Sequence, residues 1–225
     1  QVVHLQQVEA RCRRGGEIGL VDWDIGKNHP VDLAVKADVR ETVSALLPVL
    51  KAKGGAALAR KAEAGLAALK VANWSTRRAK LSAEITAAHS VTPINPDWLT
   101  LSVVGAMPKD CILVDESLTS GRYTGSLFEY TDRYSFHALA SGGIGWGLPA
   151  AVGVAIANPK RRVAAYVGDG SAMYSIQALW TAAHHKLPIT YVIPNNGGYR
   201  IIKQRLKAFH GSSHFIGMDF QDPAV

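Results

Sequence analysis

Two apolar runs, each followed by small and polar residues, constrain the fold of this chain most strongly. Residues 163–167 precede a Gly-Asp-Gly-Ser sequence at 168–171, and residues 189–193 precede Pro-Asn-Asn at 194–196. Residues 176–185, between them, have helical spacing. Strands that alternate with helices predict an α/β fold with a parallel sheet and right-handed crossovers. Ligands bind beyond the carboxyl ends of such strands, so the residues directly after each run are candidates for a functional site.

These strand ends carry oxygen donors suited to a hard cation. Asp169 offers a carboxylate and Asn196 an amide oxygen, and such ligands suit Mg²⁺ or Ca²⁺ better than zinc. The backbone N–H groups of Gly170 and Ser171 can donate to a phosphate. Either sequence alone is typical of a turn or a helix cap. Together, with 24 residues between Gly170 and Asn195, they indicate a site for a metal and a phosphate.

The chain divides into three regions by amino-acid composition and predicted secondary structure. Residues 1–50 predict the incomplete end of an α/β domain, residues 51–95 a basic helical connector, and residues 96–225 the binding domain, itself expected to be incomplete at its end. The remaining predicted elements are helices at 3–14, 39–50, 97–107 and 148–157 and strands at 18–24, 32–35 and 111–114. Gly54-Gly55 is expected to interrupt the connector, and Trp180, in the middle of its helix, is expected in the core.

Charge and cysteine content narrow the function classes. The net charge is +7, and residues 51–90 hold eight Lys or Arg but only two Glu. A nucleic-acid-binding module is an alternative for this stretch, but its one Phe, Tyr or Trp is Trp74, so solvated amphipathic helices are favoured. We therefore predict no nucleic-acid partner. Only two cysteines, Cys12 and Cys111, and no apolar run of about 18 residues predict a cytoplasmic protein without a membrane partner.

Several segments resemble one enzyme family. Gly168-Asp169-Gly170 followed by Asn195-Asn196 resembles the diphosphate-binding signature of thiamine-diphosphate-dependent enzymes. Residues 141–151 (SGGIGWGLPAA) and 115–117 (Asp-Glu-Ser) resemble the acetolactate synthase and benzoylformate decarboxylase branch, and residues 174–183 are most similar to benzoylformate decarboxylases. Residues 21–38 resemble the end of that branch's central domain. The resemblance implies a parallel-sheet thiamine-diphosphate-binding fold with helices on both faces, preceded by the tail of a Rossmann-like central domain.

The resemblance also implies roles for individual residues. Asp169, Asn196 and the backbone carbonyl of Gly198 would be the metal ligands. Ile144 would be the apolar wedge beneath the cofactor, and Gly142 would meet its aminopyrimidine ring with Ile144. The other implied cofactor-binding residues are Gly170, Ser171, Leu118 and Thr119 at the diphosphate and Ile201, with Ile202, on the substrate side. Arg200 and Arg205 depart from the apolar or small residues of the family and argue against an aromatic keto acid as substrate.

The implied activity is decarboxylation of a 2-keto acid with thiamine diphosphate and Mg²⁺. The glutamate that activates the cofactor lies on a separate pyrimidine-binding domain of the family, so no catalytic residue is assigned here and the fragment alone is expected to be inactive. A homodimer or homotetramer with the site at the subunit interface is expected. An acetolactate synthase-like carboligase and a non-catalytic scaffold homologue remain alternatives. The choice of keto acid and the binding of FAD stay open.

Overall fold

The computed structural model describes residues 15–90 and 92–220. The predicted helix at 3–14, with Cys12, lies outside the described residues. Contacts divide the chain after Val71 into two compact units, which are described separately. This division falls inside the predicted connector. Within the described ranges, no helix combines the length and the apolar composition that a membrane span requires.

The N-terminal unit contains a parallel pair of short strands and a long helix. β1 (Gly16–Gly19) pairs with β2 (Leu33–Lys36), with Ile18 opposite Val35. The strand predicted to run to Asp24 is wrong beyond Gly19. Residues 22–26 form turns instead, and Trp23 is 77% exposed. Leu20 and Val21, which also extend the apolar run past Gly19, are exposed as well.

Helix α1 (Val39–Lys70) confirms the helix predicted at 39–50 and continues it through much of the connector. Asp38 caps it by accepting a hydrogen bond of 3.0 Å from the Glu41 N–H, which satisfies one of the free donors at the first turn. The expected interruption is a kink at Gly55, whose φ of 51° lies in the left-handed region that favours glycine.

The C-terminal unit is built on a four-stranded parallel sheet in the order β4-β3-β5-β6. Its strands are β3 (Ile112–Glu116), β4 (Phe136–Ala138), β5 (Val163–Val167) and β6 (Ile189–Val192). The two strands that precede the polar turns are neighbours, with Val163 opposite Ile189. This confirms the adjacency that the predicted site requires. The three-residue edge strand β4 was not predicted.

Helices cover both faces of this sheet, as predicted. They are α2 (Trp74–Ala87), α3 (Pro96–Ala106), α4 (Thr124–Leu127), α5 (Gly147–Ala157), α6 (Asp169–Met173), α7 (Ala178–His184) and α8 (Arg200–His210). Ile85, Val104 and Leu127 of α2 to α4 pack in one core cluster with Leu113 and Tyr166. Leu148, Ala151 and Ala182 of α5 and α7 pack in the other with Ile112 and Val114. Consecutive β3 residues thus face opposite cores, as the strand period of two dictates.

One predicted core residue lies on the surface. Trp180 is 67% exposed and stacks on His184 with ring centroids 4.7 Å apart. The core prediction for Trp180 is wrong, because α7 turns Ala178 and Ala182 toward the sheet instead.

Candidate functional site

A pocket lies at the carboxyl ends of the parallel strands. Its lining includes nine of the ten site residues predicted from the sequence: Leu118, Thr119, Ile144, Asp169, Gly170, Ser171, Asn196, Gly198 and Ile201. Gly142, the tenth, is not part of the lining. The pocket also takes in Ser117, Gly168, Tyr199, Arg200 and Ile202. The chain thus brings together residues that are up to 85 positions apart in the sequence.

Asp169 ties the ends of two neighbouring strands together. It follows β5 at the start of α6 and is 3% exposed. Its Oδ2 accepts a hydrogen bond of 2.9 Å from the Gly197 N–H in the loop after β6. Gly197 has a φ of 67°, a conformation that costs glycine nothing and other residues about 1 kcal/mol or more. The contact holds the Asn196 loop against the Asp169 carboxylate.

The loop after β6 is held from its other side by residues 218–220. The Tyr199 N–H donates to the Met218 carbonyl, and the Phe220 N–H donates to the Gly197 carbonyl, each at 2.9 Å. Gly198 forms an antiparallel bridge with Asp219. A Cβ at position 198 would lie 2.3 Å from the Met218 carbonyl oxygen, so this close approach requires glycine. The Gly198 carbonyl accepts the Arg200 N–H at 2.9 Å and keeps a second lone pair for another partner.

The close approach of the Tyr199 ring leaves little room for a side chain at Gly170. A Cβ at this position would lie 2.8 Å from Cε1 of Tyr199, and the Tyr199 ring contacts Phe220 edge-on at 4.7 Å between centroids. A hydrogen bond with Tyr174, together with burial, raises the pKa of the Tyr199 hydroxyl. The ring packs against the turn that carries Asp169 and therefore fixes that turn from the outside.

The glycine-rich loop before α5 is anchored by a buried carboxylate. Glu116, at the end of β3, is 2% exposed. Its Oε1 accepts the Gly145 N–H at 2.8 Å and its Oε2 accepts the Gly147 N–H at 2.5 Å. Ser175 Oγ donates to the Gly145 carbonyl at 2.7 Å. Ile144, the residue before Gly145, lines the pocket. The sequence analysis placed residues 115–117 at the site but did not predict this role of Glu116. An acidic residue at the end of an apolar strand is the sequence feature that could have indicated it.

The loop after β3 forms the third wall. Asp115 Oδ1 accepts hydrogen bonds from the Ser117 N–H at 3.1 Å and from Ser117 Oγ at 2.5 Å. Burial raises the pKa of the Asp115 carboxyl, and the two bonds from Ser117 oppose that rise. Leu118 has a φ of 47°, which is uncommon for a residue with a side chain. This backbone conformation turns Leu118 and Thr119 into the pocket lining.

The charged residues of the pocket are of opposite sign. Asp169 and Arg200 line it, whereas Arg205, on the same helix α8, does not. The described residues contain no group of three or more His, Cys, Asp or Glu side chains able to hold a metal. A cation here would therefore depend on one carboxylate together with amide and carbonyl oxygens.

A parallel sheet with oxygen donors and glycine turns at its carboxyl ends is typical of an α/β domain that binds a cofactor. Residues 119–224 match the family described as "Thiamine pyrophosphate enzyme, C-terminal TPP binding domain". This match confirms the resemblance predicted from the Gly-Asp-Gly and Asn-Asn sequences.

Known relatives agree with this assignment. The benzoylformate decarboxylase of Pseudomonas aeruginosa is 38% identical over 111 residues, which cover 49% of this chain and 21% of the relative. The acetolactate synthase isozyme 1 large subunit of Escherichia coli is 26% identical over 197 residues, covering 85% of this chain and 32% of the relative. The solved structure of a thiamine diphosphate-dependent 4-hydroxybenzoylformate decarboxylase from Rhodococcus jostii RHA1 matches with a TM-score of 0.53 at 38% identity, over 56% of this chain and 24% of that one. The chain thus spans between about a fifth and a third of the length of these proteins.

Proposed function

We propose that this chain supplies the diphosphate- and metal-binding part of the active site of a 2-keto acid decarboxylase that uses thiamine diphosphate and Mg²⁺. The observation that carries the proposal is the convergence of Asp169, Asn196 and Gly198 with Gly170 and Ser171 around one pocket. The family match of residues 119–224 supports the choice of cofactor.

The donor set fits a hard divalent cation. Asp169 is almost fully buried, and the described residues donate one hydrogen bond to it, at Oδ2. A buried carboxylate with so few donors is stabilised by a cation. Asn196 adds an amide oxygen and Gly198 a carbonyl oxygen, both on the pocket wall. Mg²⁺ commonly takes one or two carboxylates from the protein and fills its remaining positions with phosphate oxygens and water.

The remaining walls fit a diphosphate and an organic ring. Gly170 and Ser171 bring backbone N–H groups to the pocket, where they can donate to phosphate oxygens. Leu118 and Thr119 also line the pocket. Ile144 presents an apolar side chain that is 37% exposed and would hold the cofactor's two rings in position. Gly142, two residues before Ile144, is proposed to contact the aminopyrimidine ring, although it does not line this pocket.

Thiamine diphosphate, when bound, supplies an electron sink for breaking the bond between a carbonyl carbon and its carboxylate. The residues of this chain would bind and orient it: Asp169, Asn196 and Gly198 through the metal, and Ile144 through packing. We assign proton transfer to none of them. The activating glutamate is expected on the family's pyrimidine-binding domain, and this chain alone is therefore predicted to be inactive. By the same resemblance we propose a homodimer or homotetramer with the site at the subunit interface. The low cysteine content supports the proposal that the protein acts in the cytoplasm.

The test is calorimetric titration of thiamine diphosphate into the intact protein with and without Mg²⁺. Wild type should bind only with Mg²⁺. Asp169→Asn removes the charge but keeps an acceptor for the Gly197 N–H, so the variant should fold and lose metal-dependent binding. The same change at exposed Asp110 is the matched control. Failure of the folded wild-type protein to bind would contradict the enzyme proposal and favour the non-catalytic scaffold.

A carboligase is the second candidate, because the alignment with the Escherichia coli acetolactate synthase large subunit covers 85% of this chain. Decarboxylase and carboligase would share every residue discussed above. They differ in whether the decarboxylated fragment takes up a proton or joins a second carbonyl compound. Product analysis of the cofactor-loaded protein, given a 2-keto acid with and without a second keto acid, separates them: an aldehyde alone supports the decarboxylase, and a condensed hydroxy-keto product supports the carboligase.

A further inference from the structure

Arg200 is the positively charged residue of the pocket. Of the pocket's lining residues in the described part of the chain, only Asp169 and Arg200 carry a charged side chain. The Asp169 carboxylate is engaged by the Gly197 N–H and is committed to the metal under the proposed function. A guanidinium keeps its charge at any physiological pH. Arg200 therefore gives the pocket a permanent cation.

The side chain of Arg200 has no carboxylate partner among the residues that the structure describes. The next cation on α8, Lys203, is paired with Asp219. The first turn of α8 contains no acidic residue. Lys203 is thus neutralised within the fold, whereas Arg200 remains available to an anion from outside.

Arg200 shares the pocket lining with aliphatic residues. Ile201 and Ile202 follow it on α8. The aliphatic residues of the lining are Leu118, Ile144, Ile201 and Ile202. The glycine and serine turn at 170–171 forms the part suited to phosphate. A pocket lined by both an arginine and aliphatic residues suits a ligand with a short hydrocarbon chain that ends in an acid, because a planar guanidinium binds a carboxylate through two parallel hydrogen bonds.

On the basis of the proposed function, we propose that Arg200 determines substrate specificity by binding a second carboxylate, so that the preferred substrates are 2-keto acids with an acidic side chain. Ile201, Ile202 and Ile144 would pack against the methylene groups between the two acid functions. The cofactor diphosphate is a second possible source of an anion for Arg200, and the experiment must separate the two.

The experiment compares two 2-keto acids of the same chain length, 2-oxoglutarate and 2-oxopentanoate. The intact protein is loaded with Mg²⁺ and an analogue of thiamine diphosphate whose thiazolium is replaced by an unreactive ring, so that no turnover occurs. Affinities are measured by calorimetry for wild type, Arg200→Gln, Arg200→Lys and Arg205→Gln. Arg205 is exposed on the same helix and outside the pocket lining, which makes it the matched control. Affinity for the cofactor itself is measured on each variant.

Wild type should bind 2-oxoglutarate roughly 10-fold more tightly than 2-oxopentanoate or better, as expected for a charge-assisted pair. Arg200→Gln should abolish this preference, Arg200→Lys should keep part of it, and Arg205→Gln should keep all of it. Equal binding of both acids by cofactor-loaded wild type would overturn the inference and leave the proposed function intact. Loss of cofactor affinity in Arg200→Gln with an unchanged acid preference would assign Arg200 to the diphosphate instead. If wild type bound no cofactor, both proposals would fall together.

Discussion

Glu116 Oε2 accepts a hydrogen bond of 2.5 Å from the Gly147 N–H, 31 residues further along the chain. The other carboxylate oxygen accepts the Gly145 N–H. One buried side chain therefore holds both Gly145 and Gly147, on either side of Trp146. Ile144, which lines the pocket, directly precedes this segment. The arrangement links the end of strand β3 to the start of helix α5. Because a carboxylate only accepts hydrogen bonds, it suits two converging N–H groups.

Replacing Glu116 with Gln should loosen this segment. The amide oxygen can accept one N–H, but the amide NH₂ would face the other donor, so one buried N–H loses its partner. We expect the free energy of unfolding to fall by about 1–3 kcal/mol, and affinity for thiamine diphosphate with Mg²⁺ to fall as Ile144 shifts. Chemical denaturation and calorimetry measure the two effects. The same substitution at exposed Glu129 is the control, and equal behaviour of the two variants would refute the anchoring role.

This anchor also shows why the sequence predicted the site only in part. The Asp169 and Asn196 turns were predictable because each follows an apolar strand directly, and neighbouring parallel strands bring their ends together. The partners of Glu116 lie 29 and 31 residues away, and those of Gly198 lie about 20 residues away. No local pattern encodes such long-range pairs.

The fold shows the same division between local and long-range information. The buried strand Val163–Val167 was predicted with its correct bounds because all five of its residues are buried. The strand predicted at 18–24 was too long, since Leu20, Val21 and Trp23 continue an apolar run but are exposed. β4 has three residues and none of them is fully buried, so it carries almost no periodic signal.

Gly147→Ala should destabilise the protein, while Gly153→Ala in the same helix should not. A Cβ at position 147 would lie 2.7 Å from Val167 Cγ2 and 2.9 Å from Glu116 Oε2, and both neighbours are buried. We expect a loss of about 1–3 kcal/mol from overpacking. A Cβ at exposed position 153 meets nothing within 4 Å, and alanine should stabilise α5 there by up to about 1 kcal/mol. Denaturant unfolding of both variants measures the sign of each change in stability. A destabilised Gly153→Ala variant would contradict the expectation that position 153 has room for a methyl group.

Gly198→Ala tests the attachment of the Asn196 loop to residues 218–220. The new Cβ would lie 2.3 Å from a backbone carbonyl oxygen, so the bridge to Asp219 must open. We expect faster amide hydrogen exchange at Tyr199 and Phe220, whose N–H groups form the bonds beside the bridge, and weaker Mg²⁺-dependent cofactor binding. Gly105→Ala, at an exposed helical position with nothing within 4 Å, is the control. Unchanged exchange at both amides would mean that residues 218–220 do not hold this loop.

Asp115 should make the stability of the protein depend on pH. Burial raises the pKa of its carboxyl in the folded state, so the folded protein keeps this proton at pH values where the unfolded chain, with an ordinary pKa of about 4, has lost it. The folded state then binds more protons than the unfolded state, and stability falls as the pH rises from about 4 through the raised pKa.

The asparagine side chain of the Asp115→Asn variant cannot ionise, so this variant should lack the pH-dependent contribution that Asp115 makes to the free energy of unfolding. Its free energy of unfolding, minus that of wild type, should therefore increase as the pH is raised from about 4 toward neutrality. Denaturant unfolding of both proteins at several pH values measures the difference, and the same substitution at exposed Asp110 controls for the loss of one surface charge. A difference that stays constant with pH would show that Asp115 ionises alike in the folded and unfolded chains, and that the bonds from Ser117 fully offset the burial of its carboxylate.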